Sequence, residues 1–465
     1  MWTNIKRNMK KNIIWIILTS IVLTVGLLLL LAISQNTGGD TRLMSGVLQS
    51  KNSIFLILTF VGVLVLLVAL LLVLLFAKPS KIDVSADGSG DDKPSENSDE
   101  AFIEENKERF CMLSEIELKR DTYRRGGYDE NVTLESLCES LRNYAASSLK
   151  LYYDIEDIRR FVAGMAVSHI IILQGMSGTG KTSLAHAFGS FIDNSSTIIP
   201  VQPMWKERTD LVGYYNEFTR KFNETLLLEK MYEANYSEDM YITVLDEMNI
   251  ARVEYYFAEF LSLLELPNPE DRYIDVVSDR WENDPGQLKD GRIKLPPNMW
   301  FIGTANNDDS TFAISDKVYD RAMILNLDTK SDRFIAPKTD KVRISAKQFE
   351  RLVKEATDEY EISARNKKRL EALDEYMITH FHITFGNRIM KQINTYIPVY
   401  ISCGGDELDA LDDILSKKVI RKLETQNPIY LRNAAEGLVS YINELFGQDR
   451  MTLCKEHIRR LERNA

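Results

Sequence analysis

Residues 175–182 read Gly175-Met176-Ser177-Gly178-Thr179-Gly180-Lys181-Thr182, and this run decides the fold. It satisfies the pattern G-x-x-x-x-G-K-[ST]. The glycines let successive backbone N–H groups wrap a phosphate chain, Lys181 neutralises the outer phosphates, and the Thr182 hydroxyl is placed to bind magnesium. Ser183 carries the loop into the next helix and is counted with the phosphate-binding set. The pattern alone arises by chance, so its surroundings matter. An apolar strand over residues 169–174 leads in and a helix over 183–191 leads out, the context such a loop requires.

Working outward, further short apolar runs at 197–201, 241–245, 299–303 and 323–327 read as buried strands. Strands alternating with helices predict an α/β fold, a parallel sheet covered on both faces. The run 241–245 ends in Asp246-Glu247. Asp246 would hold magnesium through water, and Glu247 would orient and deprotonate an attacking water. The run from Trp300 ends in Asn306, placed to bond the γ-phosphate or that water. By itself an Asn at a strand end is a turn residue, but beside the other two strand ends the functional reading is preferred. From residue 336 the chain is charged and helical and reads as a separate lid.

In these residues the chain resembles AAA+ P-loop ATPases, in the branch shared by dynein-like, MoxR-type and McrB-type proteins. The resemblance covers about residues 150–425. It rests on GMSGTGKT (175–182), WKERTDLVGYYN (205–216), LDEMNIARVEYYFAEFLSLLE (245–265), FIGTANNDDSTFAISDKVYDRA (301–322), FGNRIMKQI (385–393) and LDDILSKKVIRKL (411–423). McrB-type motor subunits of restriction systems are the nearest in pattern. The resemblance implies ATP with Mg2+, a homo-oligomeric ring, and an arginine finger reaching the neighbouring subunit's nucleotide. Arg321 matches that finger; an ion pair with Asp320 or Asp316 is the plain alternative. Arg388 matches a lid arginine that senses the γ-phosphate in cis. Two departures matter. Ile250 stands where many relatives carry Arg, with Arg252 two residues on, so no finger role transfers there. Asn306-Asn307-Asp308-Asp309 fits the N-x-x-D spacing of GTP-using relatives, which keeps GTP as the alternative nucleotide.

The first hundred residues differ in character. Residues 13–33 and 54–77 hold no charged side chain; at 1.5 Å per residue each reaches about 30 Å or more, a bilayer core. The expectation is a two-pass membrane protein, residues 1–78 holding both helices. Lys6, Arg7, Lys10, Lys11, Lys78 and Lys81 flank the pair, against Arg42 and Lys51 between, which predicts both ends and the ATPase domain on the cytoplasmic side. Residues 79–100 are Ser, Asp, Gly and Pro with seven acids and two lysines, a flexible acidic linker. Residues 101–165 read as helices packing on the next domain, 166–335 as the nucleotide-binding domain, and 336–465 as lid and C-terminal helices.

With 57 basic and 68 acidic residues the net charge is −11, which excludes a nucleic-acid-binding polycation. Cys111, Cys138, Cys403 and Cys454 form no C-x-x-C pair, which argues against a zinc site or a disulfide framework. Trp205, Tyr214 and Tyr215 would face a ring's pore or else form a local apolar cluster; both readings stand. Three functions compete: a motor remodelling a protein or nucleic-acid complex, a MoxR-like chaperone for a membrane or metalloprotein partner, and a non-hydrolysing nucleotide-gated scaffold. The intact Lys181, Asp246, Glu247 and Asn306 argue against the scaffold. The sequence carries no nuclease motif, so a nuclease activity would need a separate subunit.

Overall fold

Apolar runs four to eight residues long, bounded by turns and separated by amphipathic segments, fold as parallel strands with crossover helices. The computed structural model describes residues 108–306, 311–328 and 331–464. The strands in chain order are β1 (Ile170–Gly175), β2 (Thr197–Pro200), β3 (Gly213–Asn216), β4 (Lys221–Glu224), β5 (Tyr241–Asp246), β6 (Tyr273–Asp275), β7 (Arg292–Lys294), β8 (Met299–Asn306) and β9 (Met323–Asn326). Five of them form one sheet in the order β2-β5-β8-β1-β9, every pair parallel. The central strands are buried along almost their whole length because both faces are covered.

Side-chain alternation along β1 divides the interior. Ile171 and Leu173 enter a core with the helix Lys181–Phe191, the helices Leu134–Tyr144 and Ile155–Val167, and the C-terminal helices. Ile170 and Ile172 face a second core with Met248, Phe257, Phe260 and Phe301. The first core is continuous from the sheet into the helices Ala346–Glu359, Ala364–Phe381, Gly386–Ser402, Glu407–Lys418 and Pro428–Phe446. Side-chain caps start all of these helices but Gly386–Ser402: Ser345 accepts from Gln348 N, Ser363 from Asn366 N, Asp406 from Leu408 N and Asp409 N, and Asn427 from Ile429 N and Tyr430 N.

Two antiparallel hairpins, β3–β4 and β6–β7, were not among the strands expected from the sequence. Each strand is only three or four residues long and mostly polar. β3 begins at Gly213, with φ 101° and the Asn223 carbonyl 2.1 Å from where a Cβ would stand, so glycine is required there.

The expected two-pass membrane placement is corrected. Among the described residues no helix is long and apolar enough to cross a membrane. The longest, Pro428–Phe446 and Ala364–Phe381, carry polar and charged faces and bury only a stripe. The runs 13–33 and 54–77, on which the expectation rested, lie outside the described residues, as does the linker 79–100.

Candidate functional site

Strand register brings the polar ends of β1, β5 and β8 to one edge of the sheet. Gly175 pairs with Asn306 and Leu245 with Gly303, so Asp246 and Asn306 flank the start of the loop 175–182. That loop is shaped by its glycines. Gly178 has φ 78° and Gly180 φ 95°, conformations that L side chains rarely adopt. At Gly175 a Cβ would stand 2.2 Å from the Leu327 carbonyl oxygen. The Tyr153 hydroxyl donates to the Gly180 carbonyl at 2.9 Å, tying the segment before the sheet to the loop. Lys181 Nζ donates to the carbonyls of Gly175 at 2.9 Å and Met176 at 2.7 Å, and Thr179 Oγ1 to Met176 O at 3.0 Å.

Beside the loop, Thr182 Oγ1 donates to Asp246 Oδ1 at 2.7 Å. Thr304 Oγ1 donates to the same oxygen at 2.8 Å and accepts from Glu247 N at 2.8 Å. Glu247 is exposed and left-handed, with φ 53°. A non-glycine residue held there is strained by about 1–2 kcal/mol, and the Thr304 bond fixes it. Asn249 Nδ2 donates to the Asn306 carbonyl at 3.0 Å, anchoring the end of β8. Gly303 admits Met248, whose sulfur lies 1.9 Å from where a Cβ would be. A hydroxyl and a carboxylate oxygen in contact beside a glycine-rich nest suit a hard divalent cation such as Mg2+.

The structure brings Gly175 to Ser183, Asp246, Glu247 and Asn306 together. It does not bring Arg321 and Arg388 to them. The Arg321 carbonyl accepts from Ser168 Oγ at 2.9 Å, seven residues before Gly175 and so about 20 Å away along the strand direction. Its guanidinium forms an ion pair with Glu265 at 2.8 Å, and Arg388 meets the other oxygen of the same carboxylate at 2.6 Å. Both line a cleft with His169, Ile170 and Arg272. The expectation that Arg388 senses phosphate in its own subunit is therefore corrected: it stands with Arg321 at the opposite end of the strands. Asp320 and Asp316 are not the ion-pair partners of Arg321. Arg252 lies over Phe312 at 5.2 Å, with Glu254 at 3.9 Å.

Trp205 packs edge-on against Tyr256 at 5.5 Å. Tyr215 packs on Trp281 at 6.0 Å, beneath the buried Arg109, while Tyr214 is half exposed. The aromatic pair is thus split, one ring structural and one open. Thr304, Asn249 and Glu265 were missed in the sequence. Period-two alternation from Asn306 puts Thr304 on the same face and would have found it; nothing marks Glu265.

Residues 170–322 match the AAA domain of the dynein-related subfamily. No curated protein matches the chain. Among solved structures, an ATPase candidate from Cytophaga hutchinsonii aligns over 71% of this chain and 97% of its own, at 14% identity and TM-score 0.44. An MCM homolog from Methanopyrus kandleri aligns over 60% of this chain and 58% of its own, at 12% identity and TM-score 0.35. Likenesses of this size carry no argument about function.

Proposed function

From an AAA domain of the dynein-related subfamily at residues 170–322, we propose a Mg2+-dependent ATPase that works as a homo-oligomeric ring and remodels a protein or nucleic-acid complex. One observation carries the reading: the hydroxyl of Thr182 and the carboxylate of Asp246 meet at 2.7 Å beside the glycine loop, with Glu247 held next to them by Thr304.

The loop N–H groups and Lys181 would bind the phosphates, and Thr182 and Asp246 would hold Mg2+, which would supply charge neutralisation at the β and γ groups. Glu247 takes the proton of the attacking water, and Asn306 orients that water. Arg321 and Arg388, side by side on Glu265, serve the nucleotide of the neighbouring subunit. The partly exposed pairs with Glu265 are worth about 0–1 kcal/mol each. A trans arginine finger is worth roughly 10³–10⁵ in rate, about 4–7 kcal/mol. Giving up the Glu265 pair therefore costs far less than the finger returns in the transition state. The motif order favours McrB-type descent, with a nuclease, where there is one, as a separate subunit; descent does not fix the substrate.

Complementation tests this. Arg321→Ala keeps a site without a finger, and Lys181→Ala keeps a finger without a site. Co-purified mixed assemblies should regain at least threefold over either variant alone. No regain in assemblies shown to contain both would refute the trans role.

A further inference from the structure

The turn that carries Arg321 is held by the C-terminal helices of the same chain. Lys418 Nζ donates to the Tyr319 carbonyl at 2.8 Å and the Ala322 carbonyl at 2.5 Å, bracketing Asp320 and Arg321. Gln392 Nε2 donates to the Asp320 carbonyl at 3.2 Å. Arg421 pairs with Asp316 at 2.9 Å, and its guanidinium lies 4.1 Å from the Tyr319 ring centroid. Arg388 shares Glu265 with Arg321 itself. Three helical segments, Gly386–Ser402, Glu407–Lys418 and Ile420–Thr425, therefore converge on residues 316–322.

Lys418 is the centre of this mount. It is 3% exposed, and burial pushes its pKa down to about 7. Ordering a lysine side chain costs conformational entropy, and an unpaired buried amine costs more. Two backbone carbonyls at bonding distance offset that cost and at the same time fix the backbone on either side of Arg321. Apolar packing at this position would bury the end of the helix without aiming the turn.

We propose that Lys418 is a positioning residue for Arg321, so that the C-terminal helices and the finger turn move as one body. The finger that a subunit offers its neighbour is then set by that subunit's own helical lid. The inference rests on the reading of Arg321 as a trans finger. It adds a direction: Lys418 acts on the neighbour's reaction and not on its own subunit's.

The test uses the full chain and Lys418→Met, an unbranched side chain one atom shorter that removes the donors. Alone, it should lower kcat at least tenfold and leave the nucleotide Kd within twofold. Co-purified with Lys181→Ala, which supplies an intact finger, it should regain at least threefold. Co-purified with Arg321→Ala it should regain nothing, since neither partner offers a working finger. Rescue by Arg321→Ala but not by Lys181→Ala would place Lys418 in its own site and overturn the proposal; so would an unchanged kcat, or no rescue by either partner. The pair Arg321→Ala with Lys181→Ala is the control: its failure removes the finger reading itself and the proposal with it, whereas its success confines any failure to Lys418. Should Lys418→Met not assemble, Gln392→Leu carries the same test through the Asp320 carbonyl, and absence there of a kcat loss with the same partner-selective rescue overturns the proposal.

Discussion

Thr182 Oγ1 and Asp246 Oδ1 are joined by a 2.7 Å hydrogen bond across the carboxyl edge of the sheet. One oxygen comes from the first turn of the helix after the glycine loop, the other from the end of β5, 64 residues away in sequence. Parallel register puts them there. In the proposed mechanism these two hard oxygen donors hold the divalent cation, so activity is expected to depend on it. Chelation should abolish phosphate release from ATP, and added Mg2+ should restore it. Asp246→Asn should need at least tenfold more Mg2+ for half-maximal rate, read by titration.

Thr304 deserves a variant of its own because it bonds both acidic residues. Thr304→Val keeps the shape, leaves Glu247 N without its acceptor and takes from Asp246 one of its two hydroxyl donors. Thr304 is 2% exposed, so the loss should cost about 1–3 kcal/mol of stability, measured by urea unfolding. Turnover should fall at least tenfold, and Thr304→Ser should recover most of both.

The glycines of the phosphate loop set backbone strain alone, at Gly178, against strain joined to a steric clash, at Gly175, whose φ is 147°. Gly175→Ala places a methyl 2.2 Å from the Leu327 carbonyl, so the end of β1 must shift. At Gly178 nothing lies within 4 Å and only φ 78° opposes a side chain, worth about 1 kcal/mol. Thermal unfolding should therefore show a much larger drop for Gly175→Ala than for Gly178→Ala. Equal drops would mean that the loop is not held against Leu327.

His169 predicts an acid limb of stability. Burial pushes its pKa down to about 4; the ring is stacked on Trp300 at 4.7 Å and donates through Nε2 to the Pro297 carbonyl at 3.0 Å. The folded state favours the neutral ring, so stability is full above the unfolded value near 6.5 and is lost as pH falls toward 4. Between pH 7 and pH 5 this amounts to about 2 kcal/mol. Denaturant titrations followed by tryptophan emission should show it, and His169→Gln should flatten the difference.

The sheet was legible because β1, β5 and β8 are unbroken apolar runs ending in Gly175, Asp246 and Asn306, and glycine spacing marks the phosphate loop without any tertiary information. The edge strand was legible too, since Met323 to Leu325 are all apolar. The hairpins were not. Lys221–Glu224 buries only Phe222, and its pairing depends on how closely Gly213 approaches Asn223. Nor does sequence supply distance between elements. FGNR fixed the identity of Arg388, yet its position beside Arg321 comes from Glu265, more than a hundred residues earlier and silent in any local pattern. Arg109 is the same case: it is buried against Asp284 at 2.6 Å, a partner that only the folded chain brings near.

The central claim is hydrolysis at the edge formed by Lys181, Asp246 and Glu247. Its most direct measurement compares ATP binding and phosphate release in wild type, Glu247→Gln and Lys181→Ala. Glu247→Gln should bind ATP with a Kd within threefold of wild type and release phosphate at least a hundredfold more slowly, while Lys181→Ala should not bind. Glu247→Gln turning over at the wild-type rate would contradict the account.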